Sequence, residues 1–182
     1  MSDFNLAIPV ILKHEVDPKR GPYVDNAADR GGPTNWGITL ATLQELRPGA
    51  TIADLKAMTQ IQAEGIYRER YWQPPNLAAV SSQVVATKLL DMGVNMGLGE
   101  MAKLAQRSVR RLGDGVPVDG DFGPITLAAV NRCDPDSLIY ALVSAQRAFY
   151  QALVAARPAD AAFLEDWLTR AEWGLAEVEA LT

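Results

Sequence analysis

The chain has 182 residues, of which 48% are hydrophobic and 21% are charged, and its formal net charge is −5 at pH 7. These values are typical of a globular protein and exclude a disordered, collagen-like or coiled-coil chain, and the net negative charge disfavours a nucleic-acid binder. One cysteine and one histidine exclude an internal disulfide and the common zinc sites. Apolar runs of only a few residues predict no stable membrane insertion.

Helical spacing dominates the sequence from its start. Phe4, Ala7, Ile8 and Ile11 predict a first helix that runs into Glu15. An interior proline costs about 3 kcal/mol, so Pro9 predicts that this helix starts late or bends. Residues 16–37 have no helical period, and we predict a long functional loop or a small β-hairpin near residues 21–38.

Capping residues and prolines predict the remaining helices. Thr39, Thr51 with Asp54, and Thr59 with Gln62 are typical of helix starts. Residues 81–95 predict a buried helix, residues 100–112 a basic helix, and residues 163–171 a last amphipathic helix. Between them, Pro124 and Pro135 are expected as first helical residues, and the second of these helices is expected to end at about residue 157. The predicted fold class is mainly α.

Glu15, at the predicted end of the first helix, is the first candidate for chemistry. Glycoside hydrolysis needs a protonated carboxylic acid opposite a base or a water-positioning group. A helix C-terminus suits such an acid, because the negative end of the helix dipole disfavours the ionised form. Asp17, Asp25, Asp29 and Thr34 are possible second groups in the loop that follows, while the structural alternative is a solvated surface glutamate.

Residues 14–39 resemble glycoside hydrolase family 108, the N-acetylmuramidases of phage endolysins and of bacterial secretion. The match is the string Asp29-Arg-Gly-Gly-Pro-Thr34-Asn35-Trp36-Gly37-Ile-Thr39, which follows His14-Glu15 and Tyr23-Val24-Asp25. The sequence departs from the family pattern between Glu15 and Tyr23, where one glycine is missing and several residues are inserted. The resemblance implies a lysozyme-like α fold.

The resemblance also implies roles for these residues. Glu15 corresponds to the catalytic glutamate of the family. By analogy with other phage lysozymes, Asp29 or Thr34 faces it and orients water or stabilises the transition state, with Asp25 in reserve. Tyr23, Asp25, Asn35 and Trp36 are expected to contact substrate. We expect His14 to be structural, or else to orient Glu15.

A second motif lies in the C-terminal half of the chain. Asp91-Met-Gly-Val-Asn95, Gln106 and residues 118–130 resemble the predicted peptidoglycan-binding domain that often follows this catalytic domain. Asp91 and Asn95 are four residues apart on one helix face, which fits a substrate-lining pair or a buried hydrogen-bond network. Residues 118–130 contact the cell wall or form only a tight turn before a helix.

The sequence therefore predicts an endolysin-type lysozyme, with a catalytic domain at residues 5–96 and a peptidoglycan-binding-like region at 97–182 packed on it. The implied reaction is hydrolysis of the β-1,4 bond between N-acetylmuramic acid and N-acetylglucosamine, without a metal or another cofactor. The alternatives are a lytic transglycosylase and a catalytically inactive wall-binding protein. The N-terminus lacks the features of a signal peptide, so we expect a protein that is made in the cytoplasm and released through a holin or a secretion partner. We also expect a monomer.

Overall fold

The fold is mainly α, as predicted. A computed structural model describes residues 1–16, 21–25 and 32–175. Its α-helices in chain order are α1 (Phe4–Glu15), α2 (Leu40–Leu46), α3 (Ile52–Ala57), α4 (Gln60–Tyr67), α5 (Gln83–Met96), α6 (Leu98–Arg111), α7 (Pro124–Arg132), α8 (Pro135–Ala156) and α9 (Leu164–Glu172). A π-helical segment, Arg68–Trp72, follows α4, and 3₁₀ turns lie at Leu77–Ala79 and Pro158–Phe163.

A small antiparallel sheet lies in the chain between α1 and α2. Its strands are β1 (Tyr23–Val24), β2 (Thr34–Asn35) and β3 (Ile38–Thr39), in the order β1-β2-β3. Asn35 is the partner of Tyr23 on one side and of Ile38 on the other. The predicted β element is therefore present, and it extends one residue beyond the expected boundary, to Thr39.

Local signals in the sequence set the helix starts. The side-chain caps that were predicted are all present: Thr39, Thr51 with Asp54, and Thr59 with Gln62. Pro124 and Pro135 are the first residues of α7 and α8, where the missing N–H would have no helical acceptor in any case.

Helix α1 begins at Phe4 and contains Pro9, so of the two expectations for this proline the late start is wrong and the bend stays a prediction. Asp3 caps this helix by accepting a hydrogen bond from the Asn5 N–H at 2.8 Å. Pro9 lies on the exposed side of the helix, so water can satisfy the carbonyl that its missing N–H leaves free. On the opposite side, Phe4, Ile8 and Ile11 are buried and hold the helix on the core.

Helix α5 lies at the centre of the hydrophobic core. It is buried continuously from Val85 to Gly93 and packs against α1, α6 and α8. One core cluster extends from Phe4 to Val143, so residues of both predicted domains share it. The boundary between residues 96 and 97 stays a prediction. Within the described ranges, no helix combines the length and apolar character needed to cross a membrane.

Candidate active site

Glu15 is the last residue of α1, as the sequence predicts. The helix ends because Val16 adopts an extended backbone, with φ −111° and ψ 115°. The Glu15 side chain keeps 20% of its surface exposed, so it is fixed by its neighbours and still open to solvent.

The hairpin turn between β2 and β3 packs directly on Glu15. A Cβ atom placed on Gly37 would lie 2.7 Å from Glu15 Cβ, 3.1 Å from Glu15 Oε2 and 2.4 Å from the Tyr67 hydroxyl oxygen. Trp36 and Gly37 both have positive φ, 53° and 76°, which is the geometry of a type I′ turn. Glycine is therefore required at position 37 both by the backbone and by the close approach of the acid.

Trp36 holds an unusual left-handed backbone, and three hydrogen bonds support it. Its N–H donates to the Pro22 carbonyl at 2.9 Å, and its indole Nε1 donates to the Met58 carbonyl at 3.3 Å. The Tyr67 hydroxyl donates to the Trp36 carbonyl at 3.0 Å. Strained backbone of this kind is found where the surroundings over-determine it, often at functional sites.

Tyr67 remains a neutral hydrogen-bond donor beside the acid. Burial is the largest influence and raises the pKa of Tyr67 far above its ordinary value, and the negative charge of Glu15 raises it further. At neutral pH its hydroxyl therefore keeps its proton and donates it to the Trp36 carbonyl.

Arg170, on α9, is the cation that meets Glu15. Its Nη2 lies 2.8 Å from Glu15 Oε1 and 2.8 Å from Asp91 Oδ1, and its Nε donates to Asp91 Oδ1 at 3.0 Å. Burial alone would lower the pKa of Arg170, but the charges of Asp91 and Glu15 outweigh it and raise that pKa. One guanidinium therefore bridges two carboxyl groups from different helices.

Asp91 is the buried member of this cluster. Its side chain is 0% exposed, and its Oδ1 also lies 2.9 Å from His14 Nδ1. Burial would raise the pKa of Asp91, but the hydrogen bond from His14 and the charge of Arg170 outweigh it and lower that pKa. Asp91 is thus ionised at neutral pH, and His14 Nδ1 is the donor. The pairing favours the buried-network alternative for Asp91, which reaches Glu15 only through Arg170.

The other hairpin residues lie in three settings. The Tyr23 hydroxyl donates to Asp25 Oδ2 at 3.2 Å, and the Lys56 ammonium lies 4.9 Å from the centre of the Tyr23 ring. Asp25 is exposed directly after β1, and half-buried Thr34 pairs with Val24 and Thr39 in the sheet. Asp29 lies outside the described residues.

Asn35 is built into the support of the hairpin. It is 2% exposed, and its Nδ2 donates to the carbonyls of Leu55 at 2.8 Å and Met58 at 3.2 Å. These bonds tie β2 to the C-terminal end of α3. Its side-chain amide therefore positions the turn that touches Glu15.

The chain is similar to known proteins over most of its length. Residues 8–97 match the family Glycosyl hydrolase 108, and residues 101–172 match a family described as a predicted peptidoglycan domain. The solved structure of Brucella abortus SagA is 32% identical, with 97% of this chain and 94% of that chain covered and a TM-score of 0.78. No curated protein matches.

The chain belongs to the glycosyl hydrolase 108 family. With both family matches, it is a glycosidase that acts on peptidoglycan. The described residues contain no group of three or more His, Cys, Asp or Glu side chains arranged to hold a metal ion.

In the C-terminal part of this family member, Gln106 organises the loop before α7. Its Nε2 donates to Asp119 Oδ1 at 2.6 Å and contacts Thr126 Oγ1 at 3.1 Å, and its Oε1 accepts from the Gly120 N–H at 3.0 Å. Gln106 is fully buried. These contacts give the motif at residues 118–130 a folding role, as one of the two sequence interpretations expects.

Asn95 also belongs to a hydrogen-bond network. Its Oδ1 accepts from the Tyr150 hydroxyl at 2.5 Å, and Gln146 Nε2 donates to the same hydroxyl oxygen at 3.0 Å. Asp91 and Asn95 of helix α5 therefore make polar contacts that reach α9 and α8 respectively. Direct contact of these two residues with substrate stays a prediction.

Arg170 is a residue of this site that the sequence analysis did not identify. Its position beside Glu15 results from the packing of α9, far along the chain, and no local motif marks it. One signal was available: Arg170 lies three residues after Trp167 and next to buried Ala171, on a helix predicted to be amphipathic. If such an arginine is buried with the apolar stripe, its charge needs a partner.

Proposed function

We propose that this family member hydrolyses the β-1,4 bond between N-acetylmuramic acid and N-acetylglucosamine, with Glu15 as the general acid. The observation that carries the proposal is the setting of Glu15. It is the part-exposed carboxyl of a cluster in which Asp91 is fully buried and Arg170 is 13% exposed. Of these groups, Glu15 is the carboxyl that a glycan lying on the surface can reach.

In the proposed reaction, Glu15 gives its proton to the glycosidic oxygen as the bond to the sugar breaks. The leaving sugar departs as an alcohol, and positive charge develops on the ring that remains. A water molecule then adds to that ring and gives up a proton to the second catalytic group or to solvent. Packing against the strained turn at Gly37 and the contact with Arg170 hold the carboxyl in place during the transfer.

We propose that the second group comes from the hairpin, at Thr34 or Asp29, with Asp25 in reserve. Thr34 supports this, because it lies in β2, three residues before the Gly37 that packs on Glu15. A Thr34→Val variant keeps the shape of the side chain and removes the hydroxyl that would orient water. We expect Thr34→Val to lower kcat. Thr39 is the partner of Thr34 across the sheet, and we expect Thr39→Val to lower kcat much less.

The products of digestion test the reaction. Purified peptidoglycan is digested, the fragments are reduced with borohydride, and their masses are measured. The proposal predicts reducible N-acetylmuramic acid ends. Anhydro ends would instead identify a lytic transglycosylase, and intact wall with bound protein would identify a wall-binding protein without catalysis; either result contradicts the proposal.

A further inference from the structure

Arg170 links two parts of the chain that match different families. Glu15 lies within the glycosyl hydrolase match at residues 8–97, whereas Arg170 lies within the predicted peptidoglycan domain at residues 101–172. The guanidinium nonetheless contacts Glu15 and Asp91 at 2.8 Å each. The surroundings of the proposed acid are therefore incomplete without α9.

We propose that Arg170 is a positioning residue for Glu15, that the buried Asp91 is its permanent counter-ion, and that α9 is thereby part of the catalytic apparatus. This inference deepens the proposed function and rests on Glu15 being the acid.

The structure holds Arg170 rigidly. Lys88, fully buried on α5, donates from Nζ to the carbonyl of Ala171, the next residue, at 2.6 Å. Asp91 holds the guanidinium itself, with Nη2 at 2.8 Å and Nε at 3.0 Å from its Oδ1. These contacts keep the guanidinium beside Glu15 before substrate arrives, which is the condition for a positioning residue to assist catalysis.

The charges of the cluster suit an acid that must be protonated before it acts. While Glu15 carries its proton, the positive charge of Arg170 is balanced by Asp91. After the proton has moved to the glycosidic oxygen, the new Glu15 carboxylate lies 2.8 Å from the same guanidinium. Arg170 therefore stabilises the product of proton transfer, while Asp91 stays paired with the guanidinium before and after the transfer.

Other ionisable groups around Glu15 must be considered in any pH experiment. Among the residues that the structure describes, the ionisable groups around the cluster are Arg170 (α9), Asp91 and Lys88 (α5), His14 (α1), Tyr67 (α4) and Tyr150 (α8). Burial raises the pKa of Tyr67 and of Tyr150, so neither gains charge below the ordinary tyrosine range. His14 acts through Asp91, its hydrogen-bond partner.

Two substitutions should move the pH profile in opposite directions. Arg170→Met removes the cation and leaves Asp91 beside Glu15, so the acid should keep its proton to higher pH. Asp91→Asn leaves Arg170 paired with Glu15 alone, so the acid should lose its proton at lower pH. We expect the alkaline limb of the kcat/KM profile to shift by about one unit in each case. Loss of folded protein lowers the height of a profile and does not produce opposite shifts.

The rate gives a second readout. With kcat and KM measured on the full-length protein, Arg170→Met should lower kcat by about 10–100-fold and change KM less. Arg170→Lys keeps the charge, so its alkaline limb should stay at the wild-type pH. The matched control is Arg147→Met, which removes the other arginine that pairs across α9 and should leave the profile unchanged.

The outcomes separate this inference from the proposed function. If Arg170→Met has the wild-type kcat and pH profile, or behaves as Arg147→Met does, Arg170 has a structural role only and the inference is wrong. If both Arg170→Met and Asp91→Asn shift the limb in the same direction, the counter-ion argument is wrong. A fully active Glu15→Gln variant would instead overturn the proposed function itself.

Discussion

Replacing Gly37 by alanine tests the contact between the hairpin turn and the proposed acid. The new Cβ would lie 2.4 Å from the Tyr67 hydroxyl oxygen and 2.7 Å from Glu15 Cβ, closer than atoms pack. The left-handed backbone at φ 76° costs a non-glycine residue about 1–3 kcal/mol. Overpacking adds about 1–3 kcal/mol, so we expect a loss of about 2–6 kcal/mol in the free energy of unfolding.

Gly49→Ala is the matched control for this substitution. Gly49 also has a positive φ, 85°, but a Cβ placed there meets nothing within 4 Å. It therefore carries the backbone cost without the clash. Urea unfolding of both variants measures the difference, which we expect to be about 1–3 kcal/mol.

Activity gives the second part of the Gly37 test. The clash should displace Glu15 by up to about 1 Å. At temperatures where the variant is still folded, this displacement should lower kcat/KM by up to about 100-fold. Gly49→Ala should keep the wild-type rate. If Gly37→Ala has the same free energy of unfolding and the same kcat/KM as Gly49→Ala, the turn does not hold Glu15 in place.

Two further predictions concern stability. Gln106→Leu leaves the polar groups of Asp119 and Thr126 without their buried partner. The free energy of unfolding should therefore fall by about 1–3 kcal/mol, with little change in kcat. An unchanged denaturant midpoint would contradict the folding role of Gln106. The pKa of Asp91 is lowered in the folded protein, so its contribution is present above the ordinary aspartate value and is lost as the pH falls through the lowered one. Urea unfolding between pH 7 and pH 3 should therefore show a steeper loss of stability in the wild type than in Asp91→Asn, and parallel curves would refute this.

Features set by a few neighbouring residues were predictable from the sequence. Thr51 with Asp54 forms its capping box within four residues, and Pro135 begins α8 directly after its cap, Asp134. The end of α1 at Glu15 was equally predictable. The late start expected from Pro9 was wrong because the cost of a missing hydrogen bond depends on exposure, and exposure is decided by how α1 packs on α5.

The candidate site was predictable only where it is local. Glu15 and the turn at Gly37 were found through their own sequence strings. The ion pair between Arg170 and Glu15 depends on how α9 packs against α5 and α8, and this tertiary arrangement leaves no spacing signal. Asn35 lies inside the matched string, but the string did not show how its side chain is used. That side chain is buried, and its amide is bonded to the carbonyls of Leu55 and Met58.

The central claim is that Glu15 donates the proton. Glu15→Gln keeps the size of the side chain and removes that proton, while the amide oxygen can still accept a hydrogen bond from Arg170. Because Arg170 also keeps Asp91, the melting temperature should change little. Glu45→Gln is the matched control, since Glu45 likewise pairs with an arginine, Arg70, at 2.6 Å, but lies on α2.

The decisive measurement is the rate of peptidoglycan hydrolysis by these two variants, alongside their melting temperatures and their binding to sacculi. General acid catalysis contributes about 10²–10⁴-fold, so Glu15→Gln should lose at least about 100-fold in rate while it stays folded and bound. Glu45→Gln should match the wild type in all three measurements. A folded Glu15→Gln protein that clears peptidoglycan at the wild-type rate would contradict the account.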